Sequence, residues 1–125
     1  MPGRARITTL VENTARARGT LGEHGLSFWI EWRGRHVLFD TGQSDLLTRN
    51  AVQLGIDLSR TDAIVLSHGH YDHTGGLPAA LEAAPRARVF AHSDAKLSRF
   101  ARNPDGTARP VGMRPDALEA LANAV

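Results

Sequence analysis

Three of the six histidines in this chain fall within six consecutive positions, in the stretch Ser67-His68-Gly69-His70-Tyr71-Asp72-His73-Thr74-Gly75-Gly76. In an extended or gently turning backbone, residues two apart point the same way. His68 and His70 can therefore bring two imidazole nitrogens to one metal ion, at about 2.0–2.1 Å. Asp72 and His73 come next, where two glycines and Pro78 indicate that the chain turns into a helix. From there a carboxylate and a third imidazole can reach a second ion about 3.5–4 Å from the first, the separation of a two-metal hydrolytic centre. Imidazole and carboxylate donors favour zinc (Zn2+), one ion or two, with Mn2+ or Fe2+ as alternatives. The competing reading is a surface loop that happens to be rich in histidine. Crowding four such groups together argues against it, because metal ligation is the main reason to do so.

A cluster of this kind needs rigid elements to aim it. The apolar run Ala63-Ile64-Val65-Leu66 reads as a short buried strand that delivers the histidine loop to its end. Upstream, residues from about Ala5 to Val11 are β-prone and predict a first strand, and Asn13 to Gly22 reads as a polar loop. After Gly25, Leu26, Phe28, Ile30 and Trp32 alternate with Ser27, Trp29 and Glu31, which is the period of a half-buried strand. Arg33-Gly34 then suits a tight hairpin into Arg35-His36-Val37-Leu38-Phe39, and that strand stops at Asp40-Thr41-Gly42. Ser44 is placed to cap a helix carrying Leu47, Ala51 and Leu54, closed by Gly55. Pro78 and Pro85 bracket a short alanine-rich helix, with Pro78 as its first residue, and Ala87 to Ala91 reads as a further strand ending in His92. No partner spacing supports His92 as a ligand, although it could face the site. A short helix is expected from Ser93 or Asp94 through Phe100, then a turn at Asn103-Pro104-Asp105-Gly106. From Pro115, the spacing of Leu118, Leu121, Ala122 and Val125 predicts a helix running to the final residue, with an apolar stripe that needs a cover. Hairpin, helix, strand, helix and strand in this order make an α/β layered unit.

Composition narrows the function classes. A chain of 125 residues fits one domain, and with no cysteine it has neither disulfides nor thiolate metal sites. No apolar stretch approaches the ~20 residues needed to span a bilayer. The start, Met1-Pro2-Gly3-Arg4-Ala5-Arg6, reads as leading straight into a strand rather than as a leader, so the expectation is a soluble, cytoplasmic protein without a membrane partner. Basic residues number 15 against 13 acidic, and all but Lys96 of the basic set are arginine. Pairs such as Arg4/Arg6, Arg16/Arg18, Arg33/Arg35 and Arg86/Arg88 read as a solvated face, with a docking surface for an anionic substrate as the alternative. No dense basic run or aromatic platform accompanies them, so a nucleic-acid partner is not expected.

The motif His68-x-His70-x-Asp72-His73, preceded by Leu38-Phe39-Asp40-Thr41-Gly42, resembles the signature of the metallo-β-lactamase superfamily. The wider string, with Leu10-Val11-Glu12-Asn13, Glu23-His24-Gly25-Leu26-Ser27 and Leu66 through Leu77, is similar to its dihydropterin ribofuranosyl-aminobenzene phosphate synthase-like branch. The resemblance implies a four-layer αββα sandwich of two similar halves, of which residues 1–125 would be the N-terminal part. In it, His68 and His70 would bind one ion, Asp72 and His73 another, and further ligands would come from downstream of this chain. Asp40 would hold the metal loop in place without binding metal; a plain turn-capping aspartate is the other reading. Asp72 would be catalytic, holding a metal-bound hydroxide. His24, Glu12 and Tyr71 would contact substrate, although Tyr71 could equally be packed. The implied activity is hydrolysis of a small ester, lactone, phosphate or pterin-type substrate. Two alternatives accompany it: a pterin-linked transferase, and a non-catalytic metal-binding half-domain. The expected partner is a missing C-terminal half or a second copy.

Overall fold

The computed structural model describes residues 3–125; the first two positions of the start discussed above lie outside the described residues. Five strands form one sheet in the order β1-β2-β3-β4-β5: β1 (Arg6–Val11), β2 (Ser27–Trp32), β3 (Arg35–Phe39), β4 (Ala63–Val65) and β5 (Arg88–Phe90). The first three are antiparallel and the last three parallel. The hairpin between β2 and β3 turns on Arg33 and Gly34, both at positive φ (49° and 75°), the backbone of a type I′ turn whose twist matches that of the strands it joins.

Crossovers supply the helices. α1 (Leu46–Gln53) links β3 to β4, and α2 (Tyr71–Thr74) with α3 (Leu77–Ala83) links β4 to β5. Asp45, not Ser44, occupies the cap position of α1; Ser44 Oγ instead accepts the Leu46 N–H at 3.2 Å. Leu47 and Ala51 are buried as their spacing predicts, and Gly55 follows at φ +70°. α3 starts at Leu77, one residue before the proline expected to open it.

The helices gather on one face of the sheet. Trp29, Leu38 and Ile64 share that face in register and join Leu47, Leu77, Ala80 and Ala117 in a single core. On the opposite face, the register aligns Ile7, Ile30 and Val37, and aligns Phe28, Phe39, Val65 and Phe90. That face is apolar and thinly covered, with Ile7 62% and Phe90 49% exposed. The alternation in β2 thus has its deeply buried side at Ser27 and Trp29, while Phe28 and Ile30 are only half-buried. The four arginine pairs are exposed, as a solvated face requires.

Two expectations for the last third are corrected. The helix expected from Ser93 through Phe100 is a 3-10 turn over Ser93–Lys96, after which Phe100–Arg102 (β6) and Ala108–Pro110 (β7) form a separate two-stranded ribbon around the expected Asn103-Pro104-Asp105-Gly106 turn. The final helix, α4 (Pro115–Ala122), stops three residues short of the end. There the Val125 carbonyl accepts the Val89 N–H at 3.1 Å, which draws the terminus onto β5. Ala117 is its fully buried residue, with Leu118 and Leu121 half-buried, whereas Ala122 and Val125 are exposed.

Asn50 on α1 ties the long loop to the sheet. Its Nδ2 donates to the Leu10 and Leu21 carbonyls at 2.7 and 2.8 Å, and its Oδ1 accepts the Leu21 N–H at 3.0 Å. Asn50→Ala should cost about 2–3 kcal/mol, because buried main-chain groups lose partners that water cannot replace. A urea midpoint lowered at constant m-value is the expected reading.

Candidate metal centre

Parallel pairing of β3 and β4 brings their carboxyl ends to the same edge of the sheet, and the site is built there. Just past β3, Asp40 N donates to the Val65 carbonyl at 2.9 Å, and the Asp40 carbonyl accepts Ser27 Oγ at 2.8 Å. This fixes a fully buried carboxylate at φ 57°, a left-handed conformation that aspartate tolerates better than most residues. Just past β4, Ser67 meets it: Asp40 Oδ1 accepts the Ser67 N–H at 2.7 Å and Oδ2 accepts the Ser67 hydroxyl at 2.6 Å. Oδ2 also lies 2.7 Å from His73 Nδ1.

These contacts determine which ring nitrogens are free. A carboxylate only accepts, so His73 carries a proton on Nδ1, and Nε2 is the ring nitrogen left for a cation. Ser67 Oγ spends its single proton on Asp40, so His68 Nδ1, 2.7 Å away, donates to that oxygen and again leaves Nε2 bare. One buried aspartate therefore sets two imidazoles in the tautomer that a cation needs, directly and through a serine. Such hydrogen-bonded partners behind the ligands orient them and raise their basicity. Burial of part of the ring, and then the neighbouring His73 and His70, push the His68 pKa below its ordinary value against the opposite pull of Asp40 and Asp72.

His68 sits at the centre of the group. Its ring lies 4.2 Å from that of His73 and 4.7 Å, edge-on, from that of His70. His70 opens α2, its carbonyl accepting both the N–H and the hydroxyl of Thr74, so the short helix presents Asp72 and His73 on its first turn. Asp72 Oδ2 lies 3.5 Å from His73 Nε2 and 3.1 Å from His24 Nε2. All four residues read from the sequence as metal-binding thus lie in one chain of neighbours. Among the described residues, the trio with donor atoms all within 4.8 Å of one another is Asp40, His68 and His73. Asp40 is the member whose oxygens already accept from protein donors, Oδ1 from the Ser67 N–H and Oδ2 from the Ser67 hydroxyl and His73 Nδ1.

The other expected residues divide. His24 is exposed and touches Asp72, and its ring lies 6.3 Å from that of Tyr71. Tyr71 is half-buried beneath the Arg114 guanidinium, 5.1 Å from its ring centre. Glu12 lies elsewhere, in the wall of a cavity of about 480 Å³ under the long loop with Thr14, Arg16 and Asn50, where no residue of the histidine cluster reaches. His92 is exposed and caps the 3-10 turn, Nδ1 accepting the Asp94 N–H at 3.0 Å. Three contributors have no signature of their own in the sequence. Ser67 bridges Asp40 and His68, Glu23 holds the turn after Asp40 through the Gln43 N–H (3.1 Å) and Ser44 hydroxyl (2.6 Å), and Arg114 covers Tyr71. Ser67 and Glu23 do lie in the stretches that carry the family resemblance, which is the signal that could have found them; Arg114 has none.

Residues 21–115 match the profile of the metallo-β-lactamase superfamily, which is most of the chain. The chain belongs to the metallo-β-lactamase superfamily. It is 41% identical over 116 residues to the uncharacterized protein MJ0448 of Methanocaldococcus jannaschii, covering 92% of this chain and 43% of that protein. It is 36% identical over 107 residues to the 7,8-dihydropterin-6-methyl-4-(β-D-ribofuranosyl)-aminobenzene-5'-phosphate synthase of the same organism, covering 80% of this chain and 36% of that enzyme. Among solved structures it superimposes on Tm1679, a metal-dependent hydrolase of the β-lactamase superfamily, with a TM-score of 0.69 and 33% identity, covering 94% of this chain and 40% of that one. The chain thus spans well under half the length of these relatives. Its mixed α/β architecture resembles part of the superfamily's αββα sandwich. No helix among the described residues is long and apolar enough to cross a membrane.

Proposed function

We propose that this chain carries the N-terminal part of a metal-dependent hydrolase centre, with His68 and His70 holding one divalent cation, zinc first, and Asp72 with His73 holding a second. The observation that carries the reading is that Asp40 and Ser67 engage Nδ1 of His73 and His68, so that Nε2 of each ring is the nitrogen left for a cation. Imidazoles beside a carboxylate fit zinc, manganese or ferrous iron, and the chain has no cysteine to favour a softer ion. A bound cation would supply Lewis acidity, making water a usable nucleophile near neutral pH. The chain's own residues then have definite tasks. Asp72 orients the attacking water and receives its proton, while His24, at hydrogen-bond distance from Asp72 Oδ2, orients that carboxylate and meets the substrate together with Tyr71. A small ester, lactone, phosphate or pterin-type molecule is the substrate class.

Two ligands per ion fall short of the three that catalytic sites take from protein. The remainder is assigned to a second α/β layer packed on the apolar sheet face of Phe28, Ile30, Phe39 and Phe90, supplied by further chain or by a second copy. Similarity to the archaeal synthase favours a second reading, a transferase acting on a pterin-linked ribofuranosyl-aminobenzene phosphate. A third, a metal-binding module without turnover, shares the cluster and predicts binding alone. Equilibrium dialysis against zinc tests the common premise: Asp72→Ala should weaken uptake at least about tenfold, and His68→Ala should do so as strongly. Zinc affinity unchanged in both variants would sink the proposal.

A further inference from the structure

Beside the histidine cluster lies a second concave site, of about 370 Å³, that the reading above leaves unused. It is lined by Gln43, Tyr71, Arg109, Met113, Arg114 and Pro115, residues from the α1 approach, α2, the β6–β7 ribbon and the start of α4. Tyr71 is its shared wall with the metal centre, since the next residue is Asp72 and its ring neighbours His24. The ribbon is fixed against this wall by the Tyr71 N–H, which donates to the Val111 carbonyl at 3.0 Å.

The two arginines are the informative pair. Arg114 spends one N–H on the Gln43 carbonyl at 3.2 Å and lies over the Tyr71 ring; Arg109 spends one on Asn103 Oδ1 at 2.6 Å. A guanidinium has five donors, so most remain unspent on each. Among the described residues, neither forms an ion pair with a carboxylate. Each is held in place by a neutral partner that orients the fork without neutralising its charge. Two oriented, unneutralised guanidinium groups facing one hollow are the donor set for an oxyanion, which they can bind in bidentate fashion. Met113 and Pro115 supply an apolar wall beside them, for the body that carries the anion.

We propose that this hollow is an anion-binding subsite of the neighbouring centre, in which Arg109 and Arg114 hold a phosphate-type group on a largely apolar substrate while Tyr71 directs its reactive end toward Asp72. The assignment deepens the hydrolase reading and rests on it for the direction of the substrate, but not for binding of the anion, which needs no metal.

That difference provides the test. Phenyl phosphate titrated into the chelator-treated chain, followed by amide shifts in NMR, should move the signals of Tyr71, Gly112 and Met113, whereas benzyl alcohol should not. Arg114→Gln and Arg109→Gln should each raise the dissociation constant about tenfold, the loss expected for a charge-assisted hydrogen bond. His68→Ala should leave it unchanged, so a failure of the metal assignment does not register here. Arg114 also holds the Gln43 carbonyl, and if its variant does not fold, Arg109→Gln, on the exposed ribbon, decides alone. Absent phenyl phosphate binding, constants within twofold of wild type in every arginine variant that folds, or equal response to benzyl alcohol would overturn the proposal.

Discussion

Asp40→Ala is expected to destabilise the chain by about 3–5 kcal/mol and to weaken its zinc uptake at least about tenfold together with it. The carboxylate is fully buried and takes the Ser67 N–H, the Ser67 hydroxyl and His73 Nδ1 at 2.6 to 2.7 Å. Truncation leaves the Ser67 N–H and the His73 Nδ1–H without their acceptor. Alanine also fits poorly at φ 57°, which adds about 1 kcal/mol. Against a typical total of about 5–15 kcal/mol, that is a large share of the fold. The metal effect has a separate origin: without Asp40, nothing fixes the protons of His68 and His73 on Nδ1, and each ring is free to turn or to protonate Nε2. Asp40→Asn separates the two. It tolerates the same backbone and keeps one acceptor oxygen, but its amide confronts a donor, so it should lose about 1.5–3 kcal/mol while still disordering the imidazoles. Urea midpoints with zinc dialysis on both variants provide the check. An alanine variant of wild-type midpoint and wild-type zinc affinity would remove Asp40 from its role as anchor.

The parts of this centre that were legible in the sequence are those where local chemistry and tertiary structure ask for the same residues. Arg33-Gly34 specified its turn and so the β2–β3 register, and the apolar run into His68 specified a strand end. Together they placed the motif at a sheet edge. Asp40 could be named from resemblance, yet its geometry depends on Val65 and Ser67, which lie far along the chain and meet it only through parallel pairing. Ser67 passed unassigned for the same reason, since one serine has no period to read. The β6–β7 ribbon escaped because its strands are three residues each, mostly exposed, and fixed by contacts such as Tyr71 N to Val111 O that no local pattern encodes. The end of α4 escaped because the Val89–Val125 bond, not helix propensity, sets where the chain goes. The interleaved Phe28, Trp29 and Ile30 carried more than the alternation suggested: a strand apolar on both sides belongs between two layers, and the described residues pack one, on the Trp29 side.

Gly76→Ala should be among the most damaging single-methyl changes near the site, costing about 3 kcal/mol, at the upper end of overpacking penalties. Backbone conformation is not the cause, since Gly76 sits at φ −87° and ψ 0°, open to any residue. Room is the cause. A methyl group there would run into the Thr41 carbonyl oxygen, with Leu47 Cδ2 at 2.5 Å and the Ser44 carbonyl oxygen at 2.6 Å. Leu47 could swing aside, but the two carbonyls belong to the turn that follows Asp40 and can retreat only by moving it. The turn is also tied to the other side of the site, through Thr41 N to the His73 carbonyl at 2.8 Å and Gly76 N to the Gly42 carbonyl at 3.3 Å. Strain at Gly76 must therefore reach both the anchor and the helix that carries Asp72 and His73. Gly55→Ala is the control, at φ +70° with nothing within 4 Å of the added carbon. It should cost about 1–2 kcal/mol through backbone strain alone and leave zinc affinity untouched. Gly76→Ala should lower both the urea midpoint and zinc affinity. A Gly76 variant that loses stability yet binds zinc like wild type would show that the turn can shift without disturbing Asp40, and that the close packing of these backbones serves the fold and not the metal centre.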